Sequence, residues 1–323
     1  MIHVYDTVAG KLTRREGLVP LSDQTVWIDL IGPTPEDDAY LQEQLNIQIP
    51  TRAEAREIEA SNRVYQENGA HYMVAYVMYN IEQVHPGSSN VTFILTGNRV
   101  ITVRYVEPKA FPFFLTRVER GEASCNAGPA IMVGILETML HRTADLIERI
   151  QDDVDRMARE LFEINGAKRK HRLSHAVYLR GTGRDADIVA RAQESAVSVE
   201  RVLAYFATAA KDRGDDVHVL ERIASARTDV VSLNENMKFL QGRTSFLLDA
   251  TLGMISTEQN QIIKLFSVMA VMLMPPTLIA SIYGMNFKHM PELDWAYGYP
   301  FTVGLMFVSG LIPFIYFRSK GWL

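Results

Sequence analysis

The sequence predicts an α/β domain followed by a long stalk helix and two C-terminal transmembrane helices, and three observations carry that prediction. Apolar residues crowd one end of the 323-residue chain, where residues 265–283 and 299–317 each run about 19 residues without a charge, close to the roughly 20 that a bilayer core requires. Upstream of the first run, from about Asp216, apolar residues recur at spacings of three and four, with no proline before Pro275. The first 120 or so residues instead alternate β-branched runs with helical stretches, the pattern of a mixed sheet with helices packed on it.

The elements follow in chain order. Residues 25–30, Thr-Val-Trp-Ile-Asp-Leu, are a strand, and Thr34-Pro35-Glu36-Asp37 opens a helix with an N-cap, a proline at the first position and acids in the first turn. Residues 72–77 are another strand. Residues 91–96 and 100–105 form a hairpin around Gly97-Asn98, because Gly-Asn supplies positive φ between β-branched runs. Residues 1–125 thus form an α/β domain. Residues 126–215 are helical: Leu136, Met139, Leu140, Ile147 and Ile150 share one face, a break is expected at Gly166, residues 190–209 are a second helix, and Lys211-Asp212-Arg213-Gly214 is a turn.

Residues 216–261 form the stalk, with Val219, Ile223, Val230, Leu233, Met237, Leu240, Leu247 and Leu248 on its apolar side. Continued through the first membrane segment, 262–283, this helix would be roughly 100 Å long. Gly242 and Gly253 are its expected flex points. Pro275-Pro276 falls within the bilayer, where the carbonyls it frees must face a neighbour or water. An outer loop, 284–298, and a second membrane segment, 299–317, precede a basic tail, 318–323.

Charge sets the orientation. Lys264 abuts the first run, and Arg318 and Lys320 follow the second, whereas the connecting loop sets Lys288 against Glu292 and Asp294; both termini are expected in the cytoplasm and the loop outside. Trp295, Tyr297 and Tyr299 outside and Tyr316 and Trp322 inside supply interfacial aromatic belts. No basic region followed by an apolar stretch opens the chain, so the long N-terminal part is expected to stay in the cytoplasm. The single cysteine, Cys125, excludes an intrachain disulfide. A net charge of -5 argues against a nucleic-acid partner.

Motifs of enzymes are missing or incomplete. His171 and His175 stand four apart without a third ligand, and Gly181-Thr182-Gly183 lacks both a preceding strand and a third glycine. No Gly-x-Ser-x-Gly, Walker lysine loop or His-Glu-x-x-His occurs. The basic run 168–172 reads as a solvated helix face, and Met269, Met272 and Met274 as packing or lipid-facing residues. The chain is not expected to be an enzyme or to hold a cofactor.

The first membrane segment sorts its small and polar residues. Steps of seven link Asn260, Ser267, Met274 and Ser281, and likewise Ile263, Ala270, Thr277 and Gly284, so all share one helix face; Phe266 lies slightly off it. A helix that lines an aqueous path or packs closely on a neighbour needs such a stripe, and a plain anchor does not. Rings of Ile263, Phe266 and Met274 would form a narrow apolar gate able to stop ions by dewetting.

Tyr283-Gly284-Met285-Asn286 followed by Met290-Pro291-Glu292-Leu293, set between two membrane segments ahead of a basic tail ending Trp322-Leu323, resembles the CorA family of magnesium channels. The motif match covers about residues 257–323, and the zinc-transporting branch of the superfamily usually lacks both motifs. The resemblance implies a homopentameric funnel in the inner membrane, with Mg²⁺ as both cargo and regulator. It implies a filter at Gly284, Met285 and Asn286, with Asn286 amides accepting hydrogen bonds from hydrated Mg²⁺, which sheds water reluctantly. Glu292 would concentrate cations outside. It also implies a regulatory acid pair between the α/β domain and a neighbour's stalk, for which Glu67 and then Asp216, Glu221 or Asp229 are the candidates; Ser225 stands where a gapless alignment puts the family's stalk acid. The alternatives are a membrane-anchored scaffold, or transport of Co²⁺, Ni²⁺ or Zn²⁺.

Overall fold

Seven strands pair into one mixed sheet in the order β2-β1-β3-β7-β6-β5-β4 in a computed structural model, which describes residues 1–54, 63–83, 85–162, 175–286, 290–291 and 295–322. The strands are β1 (Ile2–Val8), β2 (Lys11–Glu16), β3 (Thr25–Ile31), β4 (Val64–Glu67), β5 (Ala70–Tyr79), β6 (Gly87–Thr96) and β7 (Arg99–Arg104). Only β3 and β7 run parallel, with Asp29 opposite Thr102 and Ile31 opposite Arg104. The sheet is the α/β domain expected from the sequence. The chain divides into two units, Met1–Leu248 and Asp249–Leu323.

In the first unit, alternation along the strands sends side chains to two cores. On one face Ile2, Val4, Ile28, Leu30, Ile101 and Val103 meet Leu41 of α1 (Pro35–Leu45). That helix begins as expected: Thr34 accepts from the Asp37 N–H, and the Asp37 carboxylate reaches back to the Thr34 N–H. On the other face Trp27 stacks on Tyr5 at 4.3 Å and packs against Phe111 and Phe114 of α2 (Ala110–Glu119). Buried on this side, Arg104 grips Asp29, which also accepts from Thr102.

The two-residue loop at Gly97-Asn98 forms as expected, with positive φ at Gly97 alone. Two further hairpins, β1–β2 and β4–β5, turn at Ala9-Gly10 and Asn68-Gly69, where all four residues take positive φ.

Two long helices follow, α3 (Gly128–Phe162) and α4 (His175–Arg213). The expected break at Gly166, the basic run 168–172 and His171 lie outside the described residues. Helix α4 begins well before residue 190 and contains Gly181-Thr182-Gly183 in its body, which rules out a phosphate loop there. It also runs through Arg213, so the expected four-residue turn shrinks to Gly214, at φ 71°. The Tyr76 N–H of β5 donates to Ser198 of α4 at 2.8 Å.

One helix, α5, spans Val217–Tyr283, 67 residues unbroken by Gly242, Gly253 or the two prolines. Within the first unit its buried side is Val219, Ile223, Val230, Met237, Leu240 and Leu247, with Leu233 and Leu248 half-buried. Arg222 donates twice to Glu137 of α3, and Asn234 donates to Glu200 of α4. The second unit holds the rest of α5 and α6 (Gly298–Ser319). Both helices are long and apolar enough to cross a membrane.

Candidate functional site: the α5 stripe and its outer end

In the second unit α6 covers one side of α5. Val268 is buried there, and Lys264, Met272, Pro275, Pro276, Ile279 and Tyr283 are half-buried. The two helices approach closely at Gly310 of α6, where an added Cβ would stand 3.3 Å from the Met272 carbonyl and 3.4 Å from the Pro276 ring. Met272 is the residue whose carbonyl Pro276, lacking an N–H, leaves without its helical partner. The side-chain-free surface of Gly310 therefore lets α6 shelter one of the two carbonyls that the proline pair leaves without a helical partner.

At 100° per residue, the sorted stripe lies about half a turn from that covered side. Asn260, Ile263, Phe266, Ser267, Ala270, Met274, Thr277 and Ser281 are all exposed on the single chain. Ile263 and Met274 are 61% and 68% exposed, so these apolar side chains await lipid or another protein surface. The Thr277 hydroxyl donates to the Leu273 carbonyl at 2.7 Å, which satisfies the hydroxyl proton and leaves its oxygen lone pairs facing outward.

The stripe ends at Gly284-Met285-Asn286. Gly284 does not adopt positive φ. Its N–H donates to the Ala280 carbonyl at 2.9 Å, and a Cβ would crowd that same carbonyl at 3.1 Å. Glycine serves here by close approach to the preceding turn. Met285 and Asn286 are exposed just beyond the helix. Lys288, Glu292 and Asp294 lie outside the described residues. At the start of α6, Trp295 sits 5.6 Å from Phe301 and 6.2 Å from Tyr297, ring centre to ring centre, an aromatic cluster beside the loop.

The four acids considered for regulation are exposed and are not gathered into one site. Glu67 ends β4 beside the Asn68-Gly69 turn. Asp216 is the N-cap of α5, accepting from the His218 N–H at 2.9 Å. Glu221 pairs with His218 at 3.5 Å, and Asp229 stands on the exposed side of α5. Among the described residues no three His, Cys, Asp or Glu come together as a metal site.

One contact was not expected: the Lys264 ammonium lies over the Trp322 ring, 4.9 Å from its centre. Its sequence signal was a Phe-x-x-x-Gly-Trp ending, which folds a tail back on its own helix.

Residues 22–319 match the family model described as "CorA-like Mg2+ transporter protein". The magnesium transport proteins CorA of Escherichia coli (strain K12) and Salmonella typhimurium are each 32% identical to this chain over 326 residues, covering 100% of both sequences. The CorA magnesium transporter of Methanocaldococcus jannaschii superposes over 100% of this chain and 99% of its own, with a TM-score of 0.76 at 17% identity. The cytoplasmic domain of ZntB from Vibrio parahaemolyticus matches 79% of this chain and 98% of its own with a TM-score of 0.58 at 8% identity, a likeness of fold alone.

Proposed function

Since this chain belongs to the CorA-like Mg2+ transporter family, we propose that it moves Mg²⁺ across the membrane along the α5 stripe, with Asn286 as the selecting group. The members of this family are transporters and not enzymes. The observation that carries the reading is the placement of the stripe. The small and polar residues of α5 lie about half a turn from α6 and are exposed along the whole span.

Two helices in one chain do not enclose a path, so the stripe must be completed by copies of itself around a closed ring. A homopentamer is the ring that the family resemblance implies. Asn286 stands at the end of the stripe with a neutral carbonyl oxygen, which can accept hydrogen bonds from the water shell of Mg²⁺ without stripping it. No fixed negative charge is required, because a membrane potential contributes about 4.6 kcal/mol per 100 mV for a divalent ion. Ile263, Phe266 and Met274, exposed and bulky, form the apolar barrier. Cytoplasmic Mg²⁺ closes the channel by bridging Glu67 of one subunit and a stalk acid of the next; the mutual repulsion of those acids loosens the ring when the ion leaves.

The test is uptake of Mg²⁺ into vesicles holding the purified full chain, driven by an inside-negative potential. Potential-dependent entry is expected. Vesicles as tight as protein-free controls would leave only the tethering role of an anchored scaffold. Parallel runs with Co²⁺, Ni²⁺ and Zn²⁺ rank the cargo.

A further inference from the structure

Helix α6 ends in a Schellman motif. The Trp322 N–H donates to the Phe317 carbonyl at 3.0 Å and the Gly321 N–H to the Arg318 carbonyl at 3.1 Å, with Gly321 at φ 68°. This turn sends the chain back along the helix it has just left. Phe317 and Trp322 stack, centres 5.3 Å apart and planes 26° from parallel, which is the apolar contact that closes such a motif. The indole so fixed carries the Lys264 ammonium on its face at 4.9 Å.

Lys264 is four residues after Asn260 and three before Ser267, so on the helix surface it neighbours two residues of the stripe. Its four-carbon stem is flexible and its ammonium is a compact charge. That charge has two places to go: over the indole, on the side of α6, or across the stripe near its inner end. We propose that Trp322 is a positioning residue for transport, holding the Lys264 ammonium off the ion path, where a positive charge on each subunit would oppose an incoming divalent cation. This inference rests on the reading of the stripe as the path. A cation–π contact of this kind at an exposed site favours the held position about fivefold.

Mg²⁺ influx into vesicles containing the full chain tests it. Trp322→Ala is expected to lower influx about fivefold, and the deficit should shrink as ionic strength rises, since added salt screens an exposed charge. Trp322→Leu keeps an apolar contact with Phe317 but has no π face, so it should lose as much; Trp322→Phe should retain most of the flux. In a Lys264→Gln background, Trp322→Ala should have no additional effect. Normal influx through assembled Trp322→Leu, or an equal loss in both backgrounds, would overturn the proposal, the latter by showing that the ring acts through tail packing alone. Should Trp322→Ala fail to assemble, Trp322→Leu and the Lys264→Gln background still decide it. A wrong path assignment shows itself separately: Ser281→Cys would then either escape an impermeant thiol reagent or react with it without loss of flux, and the one native cysteine, Cys125, is buried.

Discussion

Residues 1–248 hold a core of large side chains buried within the chain, Trp27, Tyr72, Phe93 and Phe206 among them, whereas only 6% of the most apolar stretch of either membrane-length helix is covered. The first unit obeys the rules of a water-soluble core, and its exposed residues are mostly polar. In the second unit exposure has a different meaning. A bare Phe or Met there calls for lipid or another protein surface, and sorting by helix face is the internal guide to which. Roles in the first unit are legible from contacts within one subunit; roles in the second unit depend on surfaces that one subunit does not contain.

The sharpest way to break this contrast is at Asn286, which is exposed on the single chain and is expected to matter most. Asn286→Ala should abolish Mg²⁺ uptake while leaving the oligomer intact by size-exclusion chromatography, and near-normal flux through an assembled variant would remove Asn286 from the filter. The opposite case is Asp29, buried and fully engaged with Arg104 and Thr102. Asp29→Ala strands a buried guanidinium and should cost about 3–5 kcal/mol of stability, read as a large fall in the unfolding midpoint of the detergent-solubilised protein.

A smaller effect is expected at Ile263. Replacing it with Ser should raise the Mg²⁺ leak through the closed channel several-fold, because a wetted constriction no longer excludes ions; an unchanged leak would move the barrier elsewhere on α5. The most modest effect is that of neutralising Glu67 and Asp229 together. Inhibition by internal Mg²⁺ should then require a higher concentration, and an unmoved inhibition curve would remove Glu67 and Asp229 from the regulatory site.

The same contrast explains what the sequence made visible. Local signals were readable: the cap at Thr34, the Gly97 turn, the two uncharged runs and the stripe. The β1–β2 hairpin escaped because Lys11, Arg14, Arg15 and Glu16 make β2 look like a loop, although its strand is an exposed sheet edge where charge is usual. The β4–β5 hairpin carried its own signal in Asn68-Gly69. The pairing of Asp29 with Arg104, 75 residues apart, depends on the parallel register of β3 with β7, which no local pattern encodes. The acids proposed for regulation are no more legible in the structure than in the sequence, since the proposed bridge would join two subunits and leave no mark on one.

The proline pair in α5 has a mechanical consequence. Two adjacent residues without N–H groups remove two successive rungs from the ladder of backbone bonds, so the rod is softest at residues 271–276. A proline ring pushes away the carbonyl one turn earlier, which wedges the two halves apart on the ring's own side. Here that side is the one toward Gly310, where the missing side chain leaves room for the Pro276 ring. The compliance of α5 is therefore directional: at this joint the helix yields by becoming concave on the face that carries Thr277 and Met274, and it is stiff against bending the other way.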